Sequence, residues 1–266
     1  MRLLGLLLLW LGTLPAQRFS PSRPANDAQS NQQQARAVID RMITALGGQA
    51  YLNTHDMYSQ GRYGRFHNDQ MVATNLFYRY WQWPDSERNE LTEQRDVVYL
   101  FLDDKEYEVT FRGGREMDPE KDESVKQALQ RRHFTLAKVL REWLKDPATI
   151  LLDEGPALAE GQMTQRITII NPKNDAVTLL VSSDSHLPVQ KIFSIRDPNT
   201  HERDEEIETY GGWRMVDGIN TPWSVQISRN GALLRSESIT GVAYNRRPPD
   251  NYFTPKLVNH EKDKKK

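Results

Sequence analysis

The chain has 266 residues, a formal net charge of −1, 38% hydrophobic and 27% charged residues, and no cysteine. Near-neutral charge supplies no broad field to gather nucleic acid or an anionic membrane. The missing cysteine excludes thiol nucleophiles, thiolate metal sites, disulfides and redox motifs.

The first segment, "MRLLGLLLLWLGTLPAQ", carries one charge at Arg2, an apolar run from Leu3 to Leu14, and then Pro15-Ala16. Basic residue, short apolar run and small residue in that order predict a secretory signal peptide over 1–16. The run falls short of the roughly 20 apolar residues a membrane span needs, so cleavage is expected, with retention as an anchor the alternative. The expected location is periplasmic or exported, soluble after cleavage, since no cysteine is present to carry a lipid. Residues 17–30, rich in Ser, Pro, Asn and Gln, predict a flexible leader. A single domain is expected over 31–258 and a disordered charged tail over 259–266.

The domain begins with a helix. In "QQQARAVIDRMITALGG", Ala35, Val38, Ile39, Met42, Ile43 and Leu46 fall at three- and four-residue spacings, which makes one apolar face. Gly47-Gly48 stops it. Strands are predicted near 56–66, 70–81, 86–94, 97–102 and 106–112, separated by turn formers. In "EYEVTFR", Tyr107, Val109 and Phe111 face one way and Glu106, Glu108, Thr110 and Arg112 the other, as in a half-buried antiparallel strand. "VVYLFL" at 97–102 is apolar on both faces, which predicts cover on both sides.

Residues 118–145 change period and read as helix, with Asp118 as cap, Pro119 at the first helical position and Pro147 beyond the end. A break into two helices is expected around 131–135. Strands resume near 149–154, 163–171, 176–183, 187–196, 204–216, 219–229 and 232–243. Asp217-Gly218 and Asn230-Gly231 suit primed two-residue hairpin turns. Trp223, Val225 and Ile227 alternate with Ser224, Gln226 and Ser228. The total is near eleven or twelve strands, with one leading helix and one helical insertion. The fold class is mainly β (α+β): a large curved antiparallel sheet with helices covering its concave face.

Reaction chemistry is not written in this pattern. No two histidines stand at zinc-helix spacing, and the G-x-S-x-G elbow, phosphate loop and dinucleotide fingerprint are absent. Adjacent carboxylates such as Asp103-Asp104 point to opposite strand faces. The reading is a binding protein rather than an enzyme, with no cofactor and no metal. Its candidate ligand-binding residues are Tyr107, Val109 and Phe111 with Trp223, Val225 and Ile227 on the concave face, covered by Leu140 and Trp143 from the middle helix. These residues either wall a cavity or meet in a filled core.

Four features then taken in order carry a resemblance. They are the helix ending "ALGG", the strand entry from Asp184 to Leu187-Pro188, the "Y…W-R-x-V-D-G-I…P" series (Tyr210, Trp213, Arg214, Val216, Asp217, Gly218, Ile219, Pro222), and the closing "NYF-x-P" (Asn251, Tyr252, Phe253, Pro255). Together they resemble the exported outer-membrane lipoprotein-sorting family of LolA/LolB type. The resemblance implies an unclosed β-barrel of about eleven antiparallel strands, lidded by helices around an apolar cavity. It implies a monomeric carrier of lipid or lipoprotein acyl chains, with transient membrane contact compatible. The alternative is a regulatory or scaffolding protein of the same fold that binds an envelope protein partner.

Overall fold

The structure is a computed structural model that describes residues 24–196 and 202–255. The expected signal at 1–16 and tail at 259–266 lie outside the described residues.

Helix α1 (Pro24–Leu46) opens inside the segment expected as leader. Polar composition argued for a flexible start, but Asn31 is anchored from outside the helix. Its amide donates to Asp153 O at 2.7 Å and accepts from Asp153 N at 2.9 Å. The predicted stripe holds: Ala35, Val38, Ile39, Met42 and Leu46 are all buried. Gly47 ends the helix with φ +129°, and a Cβ there would stand 2.5 Å from Gly218 O. Glycine therefore both stops the helix and lets a later hairpin touch its end. One short turn follows, α2 (Gln49–Leu52).

A meander comes next: β1 (Asp56–His67), β2 (Gln70–Gln82), β3 (Ser86–Leu91), β4 (Val97–Leu102), β5 (Lys105–Thr110) and β6 (Gly113–Glu116). On β4, Val98 and Leu100 are buried on one face and Phe101 on the other, as its unbroken apolar run predicts. The insertion is two helices, α3 (Glu123–Arg132) and α4 (Leu136–Arg141), then a 3₁₀ turn at Trp143–Lys145. The break falls where expected, but the cap of α3 is Asp122 rather than Asp118. Its carboxylate accepts from Ser124 N at 2.9 Å, which satisfies a donor the helix cannot.

The second meander is β7 (Ile150–Ala159), β8 (Gln162–Ile170), β9 (Ala176–Ser182), β10 (Pro188–Arg196), β11 (Arg203–Gly211), β12 (Arg214–Val216), β13 (Ile219–Thr221), β14 (Ser224–Arg229) and β15 (Ala232–Tyr244). Two long expected strands are each broken. Gly212, at φ +64°, separates β11 from β12, and Pro222, with no N–H to offer a ladder, separates β13 from β14. Asp217-Gly218 and Asn230-Gly231 have positive φ at both positions, the primed turns their sequence calls for.

Thirteen strands form one antiparallel sheet in the order β6-β5-β4-β3-β2-β1-β15-β14-β11-β10-β9-β8-β7, and β12-β13 stand apart as a hairpin. The two ends, β6 and β7, are not paired, so the barrel is unclosed. The segment between them carries α3 and α4 across the concave side. Half of that side is filled. The α1 stripe meets Leu151, Ile167, Ile169, Val177, Leu179 and Phe193 of β7 to β10, with Phe134, Val139, Leu140 and Trp143 of the insertion beside them.

Candidate functional site

The other half of the concave side is hollow. Antiparallel register sets its wall in rows, since every second residue of a strand shares a face. Tyr244, Met57, Trp81, Glu87 and Phe101 stand opposite one another across β15, β1, β2, β3 and β4. The next row is Val242, Ser59, Arg79 and Asn89. On the far wall Val225 lies between Tyr210 and Glu237, and Ile227 between Glu208 and Arg235. Helices α3 and α4 roof the space with Ala128, Arg131, Arg132, Leu136, Ala137 and Arg141, and Leu46 and Tyr51 back it. The cavity is about 440 Å³, within the range of small-molecule sites.

Its surface is aromatic and aliphatic with a charged floor. Glu237 accepts from both terminal nitrogens of Arg79, at 3.2 and 2.9 Å, and lies 3.0 Å from Arg235 Nη2. Burial alone would raise the Glu237 carboxyl, but the Arg79 and Arg235 guanidiniums hold it down to about 2. The roof is latched to both walls. Arg132 reaches Glu87 at 2.9 Å and Asp85 O at 2.7 Å, and Lys138 pairs with Asp85. Opposite, Arg131 Nε donates to both Glu206 oxygens at 2.8 Å, and Lys191 Nζ donates to Phe134 O at 2.7 Å. Two polar atoms on the cavity wall, Ser59 Oγ and Arg235 Nε, are buried with no hydrogen-bond partner, which is rare in a folded interior. Among the described residues no group of three or more His, Asp or Glu is placed to hold a metal ion.

The sequence-derived candidates separate into three places. Val225 and Ile227 line the cavity. Leu140 and Trp143 are buried in the filled half, packed with Phe134 and Val139, so they support the roof rather than face the space. The Trp223 ring lies 4.4 Å under the Arg214 guanidinium and is not part of the cavity lining, because Pro222 interrupts the strand just before it.

Tyr107, Val109 and Phe111 are a correction. Tyr107 stands opposite Leu100, and Val109 opposite Val98, on the face turned away from Phe101 and the cavity. Phe111 is 85% exposed. The inward residue at this point is Glu106, opposite Phe101. It is buried with Oε2 unpartnered, and its carboxyl is pushed up to about 7 by burial and by the charge of Asp122, against the pull of Arg132. The alternation assigned two faces correctly but the wrong one inward. The inner face here is polar, and the outer face has its own cover. There Tyr252 of the closing "NYF-x-P" packs edge-on against Tyr80, donates to Glu90 at 2.8 Å and receives Arg88 over its ring.

The sequence reading did not single out Arg79, Glu237, Arg132 or Arg141. One signal was present: "FYRYWQ" sets Phe77, Arg79 and Trp81 on a single face, and an arginine between inward aromatics marks a face that is not plain core.

No protein-family model and no curated protein matches the sequence. Solved structures do match. A DUF1329 family protein from Desulfovibrio piger superposes with a TM-score of 0.54 at 13% identity, over 82% of this chain and 96% of that one. A LolA superfamily protein from Nitrosomonas europaea gives 0.54 at 8% identity, over 83% and 97%.

The fold is LolA-like.

A putative outer membrane lipoprotein-sorting protein domain from Vibrio parahaemolyticus has it too, at a TM-score of 0.52 and 10% identity over 85% and 97%. The "Y…W-R-x-V-D-G-I…P" series takes a definite place in this LolA-like fold: it is the β12-β13 hairpin that braces the end of α1. Ile219 is buried there, and Asn220 donates to Ala45 O at 2.7 Å.

Proposed function

We propose that this protein is an exported, non-enzymatic carrier that holds a lipid or lipoprotein acyl chain in the cavity under α3 and α4. The observation that carries the reading is the hollow half itself. A sheet that buries α1 so completely on one side leaves Met57, Trp81, Phe101, Val225, Ile227 and Ile239 facing open space on the other. Removing apolar chain from water is worth about 0.8 kcal/mol per CH₂, so such a wall binds an acyl chain without reaction chemistry. Isothermal titration with a fluorescent or plain fatty acid tests it, and so does native mass spectrometry of the purified protein. A co-purifying acyl ligand or saturable one-to-one uptake supports the reading. A protein that takes up no amphiphile but co-purifies with an envelope protein supports the scaffolding alternative instead.

Export rests on the signal-like first segment. Among the described residues no helix is long and apolar enough to cross a membrane. N-terminal sequencing of the envelope fraction is expected to begin near Gln17; an intact Met1 in the cytoplasm would overturn export.

A further inference from the structure

The roof of the cavity contains one arginine unlike its neighbours. Five arginines line the space, Arg79, Arg131, Arg132, Arg141 and Arg235. Four of them are ion-paired: Arg79 and Arg235 with Glu237, Arg131 with Glu206, and Arg132 with Glu87. Arg141 has no carboxylate within 4 Å among the described residues, although only 8% of it is exposed. A buried cation without a counter-charge is costly.

What holds Arg141 is weak by comparison. Nη1 donates to Thr54 O at 2.8 Å, and the guanidinium lies over the Trp83 ring at 3.7 Å and 5.9 Å from the Trp81 ring. Five N–H donors are available on a guanidinium, so most of its hydrogen-bonding capacity is left to the space it faces. Trp81 and Met57, opposite each other in the wall, extend from this point as apolar surface.

We propose that the ligand of this cavity is a single-chain amphiphile with an anionic head, a carboxylate or a phosphate, and that Arg141 binds that head while the chain runs along Trp81, Met57 and Val225. The proposal rests on the carrier reading above and narrows it. A guanidinium matches both oxyanions in two-point geometry, and the bound head supplies the charge that the protein withholds.

The test is calorimetric titration of the full mature chain with dodecanoate, dodecyl phosphate and dodecanol at about pH 8, where a carboxylate is fully ionised. The parent is expected to bind either or both anions at least about tenfold more tightly than the alcohol, as a charge-assisted contact warrants. The stronger anion identifies the source, a phosphate head or a fatty acid. Arg141→Met is expected to erase that preference and leave alcohol binding in place, and Arg141→Lys to restore part of it. A purely structural Arg141 would change all three affinities together. Equal binding of alcohol and anions by the parent, or a preference that survives in Arg141→Met, overturns the proposal while the carrier reading stands. No uptake of any probe overturns both. If Arg141→Met fails to fold, the three-probe comparison on the parent and on Arg141→Lys still decides.

Discussion

Glu237 lines the cavity, Glu106 lies buried on the same inner face of the sheet, and the two answer to acid in opposite ways. Glu237 is held near 2 by two arginines, below the roughly 4.3 of a free glutamate. Its stabilisation is complete above about 4.3 and is lost as pH falls towards 2. Glu237→Gln should cost about 3–5 kcal/mol at neutral pH, because Arg79 and Arg235 lose their counter-charge. Its urea midpoint should then change less than the parent's between about pH 4.3 and 2. Glu106 titrates near 7, so the folded state keeps a proton that the unfolded chain has released. Stability on its account falls as pH rises from about 4.3 to 7. Glu106→Gln should flatten that fall, and urea titrations across the window will show it. A parent curve already flat there would mean that Glu106 meets a partner when the chain is in solution.

At the scale of elements, α3 is bound to the sheet by charge more than by apolar contact, while Val139 and Leu140 seat α4 in the core. Val125 is the buried residue of α3, while Arg131 and Arg132 grip opposite walls. Arg132→Ala removes the links to Glu87 and to Asp85 O together. Amide exchange in residues 123–133 should accelerate severalfold in that variant, while β7 to β10 keep their protection, since local opening follows local contact density. Exchange that rises over the whole sheet would show that the roof is part of one cooperative unit with it. The free edge at β7 is managed differently. Asn31 occupies both backbone groups of Asp153 as a neighbouring strand would, which blunts an edge otherwise open to pairing with another chain.

The molecule as a whole is one sheet with two kinds of interior, and substitutions should divide accordingly. Leu179 is fully buried in the packed half. Leu179→Ala should cost about 2–5 kcal/mol by thermal or urea unfolding. Val225, on the cavity wall, has open space before it. Val225→Trp should fold with little loss of stability and reduce acyl-ligand affinity by about tenfold or more, as filling a site displaces its ligand. A Val225→Trp protein that unfolds would mean that the space collapses in solution; one that binds fatty acid as the parent does would remove Val225 from the site.

The sequence by itself determined most of the elements and their order, but not α2, β6 or the breaks at Gly212 and Pro222. The α1 stripe, the β4 run with cover on both faces, the Asp217-Gly218 and Asn230-Gly231 turns and the break between α3 and α4 all follow from local rules: period, φ preference and capping. It also determined that a sheet of this kind would be roofed by its helical insertion. Only the tertiary structure decided which face of each strand turns inward and what lies there. Tyr107, Val109 and Phe111 share a face by alternation, yet alternation has no sign. The sign came from Tyr252, some 145 residues away in the chain, which covers the outer face near β2 and β3, and from Arg132, which makes a charged inner face tolerable beside Phe101. The same holds for Arg141. Nothing within its own helix marks it as unpaired, because pairing depends on which carboxylates the other walls bring within 4 Å, and that distance exists only once the sheet has curved around it.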